Sequence, residues 1–230
     1  MDVFEFDYQS FPKINEEIVL CLGFFDGLHL GHQKIIEEAK KYGKKVGLLS
    51  FSNSPYNFFH SQNELLTPNY IKTKLLNEYG LDYYFEIEMS KGLIEMDPED
   101  FLRKLKNLNP AICVCGADYS FGFNKQGDVD LLCKYFITKV VDYECYNGEK
   151  IATSNIFNAL TEGEMDIVTR CLGRHYSVRG RVVKGLKNGT RLGYPTANLS
   201  LYDHYFMPKE GVDFGVAKLY DEEYYAIASY

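Results

Sequence analysis

The sequence predicts an α/β protein with a parallel sheet in its first two thirds and a small β-barrel-type unit behind it. Three observations carry that expectation. Short apolar runs alternate with helix-like stretches up to about residue 173, and such alternation builds a parallel sheet covered on both faces. The first apolar run ends in a glycine-rich turn that opens a helix. After residue 174 the helical period stops, and YSVRGRVVKG, LGYPTANLSL, FGVAKLY and YYAIASY follow as short β-type runs separated by Gly, Asn and Pro.

Taken in order, IVLCLGFF (18–25) reads as the first strand and 29–42 as a helix. Ile35, Ile36 and Ala39 share one face of that helix, and Gly43 is its expected C-cap. VGLLSFS (46–52) is the next strand. Thr67-Pro68 opens a helix with Pro at the first helical position, and Gly80 closes it. DYYFEIEM (82–89) is a strand, and Asp97-Pro98-Glu99-Asp100 starts a helix that runs into FLRKLKNL. AICVCGA (111–117) is a strand, GDVDLLCKYF (127–136) a helix and ITKVVDYECY (137–146) extended. TSNIFNALTEG (153–163) and EMDIVTRCLG (164–173) read as two short helices. The units expected are therefore 1–170 and 174–230. Ligands of parallel sheets sit beyond the C-terminal strand ends, which singles out the loops 23–32, 52–60 and 116–127.

Composition narrows the function classes. A net charge of −7 offers no broad positive field, so no nucleic-acid partner is expected, while a small anion needs only local amides or a helix N-terminus. No apolar run reaches the roughly 18 residues a membrane helix needs. The acidic start MDVFEFDYQS lacks the form of a secretory signal, and the location expected is cytoplasmic. The six cysteines form no CxxC pair; they read as reduced, buried thiols, with Cys113 and Cys115 on one strand face.

The chemistry concentrates in GFFDGLHLGH, Gly23 to His32. Gly23 and Gly27 let backbone approach a phosphate closely. Leu28 and Leu30 can point inward, while the i, i+3 spacing puts His29 and His32 together on the outer face of the first helical turn. The helix N-terminus adds partial positive charge there. Strand, glycine, Asp26-Gly27, HxGH and helix in sequence point to a polyphosphate clamp.

This segment resembles the signature of the nucleotidylyltransferase superfamily, in the form found in bacterial bifunctional riboflavin kinase/FAD synthetases. CGADYSFGFNKQGD (115–128), LGRHYSVRGRVVKG (172–185) and GTRLGYPTANL (189–199) resemble later motifs of that family, in the family's order. The resemblance implies a Rossmann-like first domain that transfers AMP from ATP to FMN with Mg²⁺, giving FAD and pyrophosphate. It implies His29 and His32 on the ATP phosphates, with Gly23, Phe24, Asp26, Gly27, Gly31, Gly116, Thr153 and Ser154 around the nucleotide. Asn53, Asp118, Phe121 and Phe123 would meet the flavin.

Two positions depart from the family pattern. Phe157 stands where an ISSTxxR-like motif has its arginine, and Ser54-Pro55 where the family often has His-Pro. Loss of a phosphate-pairing cation costs about 1–3 kcal/mol, and Lys125 or Arg174 are candidate substitutes.

For the second unit the resemblance implies a riboflavin kinase. Thr196 and Asn198 would hold Mg²⁺ and ATP phosphates, with Gly185, Lys187 and Gly189 looped over them. Asp213 follows Gly211-Val212 where the family has tyrosine, and the strand bearing the catalytic glutamate falls past Tyr230. An incomplete barrel, a weak or lost kinase and an exposed edge open to homo-oligomer pairing are the expectations. The partners expected are small nucleotides and flavins. Transfer to another phosphate acceptor, and flavin or nucleotide binding without turnover, are the competing readings.

Overall fold

The computed structural model describes residues 1–59, 64–185, 196–220 and 222–230. Strands β1 (Asp2–Phe6), β2 (Ile18–Leu22), β3 (Val46–Phe51), β4 (Tyr83–Ile87), β5 (Pro110–Gly116) and β6 (Thr138–Val141) form one sheet in the order β1-β4-β3-β2-β5-β6. Every neighbouring pair is parallel. All residues of β2 and β4 are buried, which is why both read as continuous apolar runs. The chain builds outward from β2 through β3 to β4, then returns to add β5 and β6 on the other side of β2. That reversal creates a crevice at the strand ends.

Strand alternation divides the core. Leu20, Leu22, Leu49, Phe85, Cys113 and Cys115 face one layer, packed under Phe101, Leu102 and Leu105 of α5 (Pro98–Leu105) and Leu132 of α6 (Val129–Tyr135). Val19, Cys21, Leu48, Tyr84 and Val114 face the other. There they meet Ile35, Ile36 and Ala39 of α1 (Leu30–Lys40) and Leu76 of α3 (Asn69–Glu78). Full burial of one such side chain is worth about 1.5–3 kcal/mol. Cys113 and Cys115 do share a face, but Cys133 and Cys145 are exposed, so the expectation of six buried thiols is too broad.

Local signals explain the element ends. Asp97 caps α5 by accepting from Glu99 N (2.8 Å) and Asp100 N (3.3 Å), with Pro98 at the first helical position. Pro68 is instead the cap of α3, not its first residue, and Gly80 follows the helix at φ +67°. Helix α1 starts at Leu30 with His29 as its cap, and ends at Lys40 with Lys41 as its C-cap, two residues before Gly43. The strand expected over 18–25 is β2 and stops at Leu22, because Gly23 to His29 form the turn.

Strand β1 went unread in the sequence. Short helices α2 (Pro55–Phe59) and α4 (Lys91–Ile94), and the hairpin of β7 (Cys145–Tyr146) and β8 (Glu149–Lys150), were also unread. Helices α7 (Thr153–Glu162) and α8 (Met165–Leu172) pack as a pair around Leu66, Ile156, Leu160 and Leu172.

Behind them lie two antiparallel pairs, β9 (Gly180–Val183) with β10 (Asn198–Leu201), and β11 (Val212–Leu219) with β12 (Glu222–Ser229). The described residues there form two separate ribbons and not one barrel sheet. Residues 203–209 of this unit dock on the first. Leu65 N donates to His204 O, Phe206 N to Leu65 O and Lys209 N to Leu160 O, at 2.9–3.1 Å. Phe206 meets Phe157 edge to face at 4.6 Å.

Candidate functional site

A cavity of about 590 Å³ opens at the crevice, and Leu22, Phe51, Gly116 and Val141, the last residues of β2, β3, β5 and β6, line it. Its polar lining includes His29, His32, Asp118, Lys125, Lys150 and Thr153. Its apolar lining includes Met89, Leu93, Met96, Phe101, Tyr119 and Phe121, which belong to or pack against one core layer.

The polar lining is shaped by the turn from β2 to α1. Phe25 (φ +54°), Gly27 (φ +78°) and Leu28 (φ +42°) are left-handed, which costs a residue with a Cβ about 1–2 kcal/mol. A side chain on Gly27 would also meet Leu66 Cδ1 at 2.9 Å. The turn keeps this shape because it is anchored all round. Phe25 and Leu28 are fully buried. The Asp26 carboxylate accepts from Gly27 N (2.9 Å), Thr67 N (2.9 Å), Thr67 Oγ1 (3.1 Å) and Leu66 N (3.1 Å). The carbonyls of residues 26–28 are fastened as well. Thr153 Oγ1 donates to Asp26 O (3.3 Å), Arg174 Nη2 to Gly27 O (2.8 Å), and Arg174 Nη1 (3.3 Å) and Gln33 Nε2 (2.9 Å) to Leu28 O.

His29 and His32 stack with ring centroids 3.6 Å apart and planes 19° from parallel. Gly31 makes room for that stack, since a Cβ there would press on His29 Nδ1 and Cε1 at 3.2 Å. His29 Nδ1 accepts from His32 N at 3.4 Å, so the neutral ring carries its proton on Nε2. Burial, then the Lys150 charge, lowers His29 to about 4. Burial and the neighbouring His29 hold His32 well below the usual histidine value. The pair is thus neutral, with His29 buried and His32 half-buried.

A second helix N-terminus meets the cavity. Ile151, Ala152 and Thr153 line it at the start of α7, where the cap is Ala152 and no side chain satisfies the first-turn amides. Lys150 lies beside them, with Nζ 2.5 Å from Asp118 Oδ2 and 3.9 Å from the Tyr143 ring centroid.

Gly23, Phe24, His29, Gly31, His32, Gly116, Asp118, Phe121 and Thr153 all line the cavity. Several expected residues do not. Asp26 and Gly27 lie behind the turn and support it. Ser154 is exposed and bonds Asn155. Phe123 is 42% exposed on a short 3₁₀ turn. Asn53 Oδ1 accepts from Ser54 N, and Ser54 is the lining residue.

Of the two candidate substitutes for the absent arginine, Lys125 reaches the cavity, whereas Arg174 is bound to carbonyls behind it. Phe157 packs on Phe206. Lys150 was missed, although Asn147-Gly148 (φ +52° and +81°) is a strong hairpin signal that places it beside Thr153. In the second unit Thr196 and Asn198 are exposed, and a side chain on Gly185 would collide with the Asn198 amide. Lys187 and Gly189 lie outside the described residues.

A parallel sheet with a glycine turn, stacked HxGH imidazoles and two helix N-termini at its C-terminal edge defines a nucleotidylyltransferase-type α/β protein. The family model for FAD synthetase matches residues 11–155 and the one for riboflavin kinase matches 172–230. The chain belongs to the FAD synthetase family.

The bifunctional riboflavin kinase/FMN adenylyltransferase of Listeria monocytogenes is 35% identical over 206 residues, 84% of this chain and 66% of that protein. Its Bacillus subtilis namesake is 30% identical over 224 residues, 92% of this chain and 71% of that protein. The chain thus spans about two thirds of the length of these curated relatives. A crystal structure described as a macrolide-efflux protein from Streptococcus pneumoniae superimposes with TM-score 0.91 at 27% identity, covering 99% of this chain and 78% of that one. Among the described residues here, no helix is long and apolar enough to cross a membrane.

Proposed function

We propose that the chain is an FMN adenylyltransferase, forming FAD and pyrophosphate from FMN and Mg-ATP, with residues 1–170 as the catalytic domain and 174–230 as a riboflavin-kinase-like one. The observation that carries this reading is one cavity lined both by imidazoles and helix N-termini and by an apolar, aromatic surface. A triphosphate suits the first and an isoalloxazine ring the second, where Phe121 stands between Phe101 and Tyr119. The names of the relatives support the same pair of substrates.

In the reaction an FMN phosphate oxygen attacks the α-phosphorus in line, and the bond to the leaving pyrophosphate breaks. No covalent enzyme intermediate is needed, so positioning and charge stabilisation carry the rate. His29, through Nε2–H, and His32 would donate to phosphate oxygens whose charge grows in the transition state. The first-turn amides of α1 and α7 add partial positive charge. Lys150 would supply a full cation, leaving Asp118 for phosphate. Mg²⁺ would enter on ATP, held chiefly by the phosphates. A cytoplasmic location fits this chemistry.

Purified protein with FMN, Mg-ATP and pyrophosphatase should yield FAD by chromatography. His29→Ala and His32→Ala should each lower turnover more than tenfold with an unchanged circular dichroism spectrum. Full activity in both variants would refute the phosphate role. Quenched FMN fluorescence without FAD would favour binding without turnover, and adenylylation of another phosphate would shift the acceptor. We propose only weak riboflavin phosphorylation by the second unit, supported by the exposure of Thr196 and Asn198. Rapid FMN formation from riboflavin and Mg-ATP would overturn that.

A further inference from the structure

The Arg174 side chain stands at the junction of the two units and does not reach the cavity wall. Its guanidinium forks across three carbonyls: Gly27 O at 2.8 Å, and Leu28 O and Leu172 O at 3.3 Å. Gln33 Nε2 bridges the latter two carbonyls again, at 2.9 and 2.8 Å. In a trans peptide the C=O of one residue and the N–H of the next point in opposite directions. Holding the carbonyls of Gly27 and Leu28 therefore aims the amides of Leu28 and His29 away from Arg174. The turn being held is not self-supporting, with left-handed Phe25 and Leu28 at its two ends.

Resting on the adenylyl-transfer reading above, we propose that Arg174 is a positioning residue for that reaction: from behind the loop it fixes the peptide planes that present amides and the His29 ring to the ATP triphosphate. The planar fork is what the geometry uses. A lysine ammonium keeps the charge but cannot span three carbonyls with fixed orientation.

The test is steady-state FAD synthesis by the full chain, wild type beside Arg174→Lys and Arg174→Met. It is paired with binding of the non-hydrolysable analogue Mg-AMPPNP and with thermal unfolding. Both variants should raise the KM for ATP and the Kd for the analogue about tenfold, leaving the KM for FMN within twofold. A merely structural role would weaken both substrates together, which would overturn the proposal. Wild-type ATP kinetics in Arg174→Lys would overturn it too, since charge alone would then suffice. Should Arg174→Met not fold, Arg174→Lys, which keeps stem and charge, decides alone. Should the wild type make no FAD, the adenylyl-transfer reading fails by itself, and the analogue's Kd still reports whether Arg174 organises the loop.

Discussion

Replacing the carboxylate of Asp26 by the isosteric amide tests whether the β2–α1 turn is held from behind. The carboxylate is almost wholly buried and accepts four hydrogen bonds, three on Oδ1 and one, from Leu66 N, on Oδ2. In Asp26→Asn, Oδ1 can keep its three donors, but the new NH₂ then faces the Leu66 N–H, donor against donor. Losing a bond to a buried charged acceptor costs about 1.5–3 kcal/mol. A further loss comes from Lys72, fully buried with no hydrogen-bond partner for Nζ among the described residues. Burial lowers its pKa, and the charges of Asp26 and Glu86 oppose that shift. Removing one of those carboxylates leaves the ammonium less compensated. Together the cost should be about 3–5 kcal/mol. Urea unfolding followed by circular dichroism measures it, and Lys72→Met in both backgrounds completes a double-mutant cycle. The double variant should lose about 1–2 kcal/mol less than the two singles combined. If Asp26→Asn stays within about 1 kcal/mol of wild type, the anchoring argument is wrong.

Two more predictions follow. His29 is held near pH 4 in the folded protein against an ordinary value of 6.5, so the unfolded chain binds the extra proton between those values. Stability should rise with pH through that window, by at most about 3 kcal/mol, and level off for this group above it; the difference between wild type and His29→Gln, from urea titrations at pH 4.5 to 7.5, isolates the imidazole. Lys150→Ala should lower kcat about tenfold, the equivalent of about 1.4 kcal/mol, with Lys150→Arg restoring most of it. The exposed pair with Asp118 should contribute under about 1 kcal/mol to stability, so an unchanged kcat with a lowered Tm would refute the catalytic role.

What the sequence disclosed follows from how local each signal is. β2 and β4 were legible because every residue is buried. The start of α5 was legible because its cap Asp97 and Pro98 are adjacent, and α7 through the period of its apolar residues alone. β1 pairs only with β4 at the sheet edge, and its DVFEF sequence is partly exposed, so it lacks the apolar run of its neighbours. The HxGH turn was legible as a pattern, but the work of Asp26 was not. Its partners, Leu66 and Thr67, come from a segment 40 and 41 residues away, and no spacing rule links them. The imidazoles were expected to face outward because spacing reports which side of a helix two residues share. Whether that side is wet depends on β5, β6 and α7.

Phe157 and Lys150 make sense together. Phe157 is packed with the cluster that holds Leu66, Ile156, Leu160 and Leu172, and its ring meets Phe206 edge to face. An arginine there would bring a charge to that cluster and forfeit an aromatic contact worth about 0.5–1.5 kcal/mol. The aromatic pair in turn fixes residues 203–206, whose backbone pairs with Leu65. The next two residues give their amides to Asp26. A contact in the second unit is thereby joined, through four residues, to the turn that carries His29. Phe157 thus serves packing, while Lys150, at the foot of the Asn147-Gly148 hairpin, puts a cation on the cavity wall beside Thr153. On α7 the Phe157 ring meets Phe206 and so helps hold the two units together.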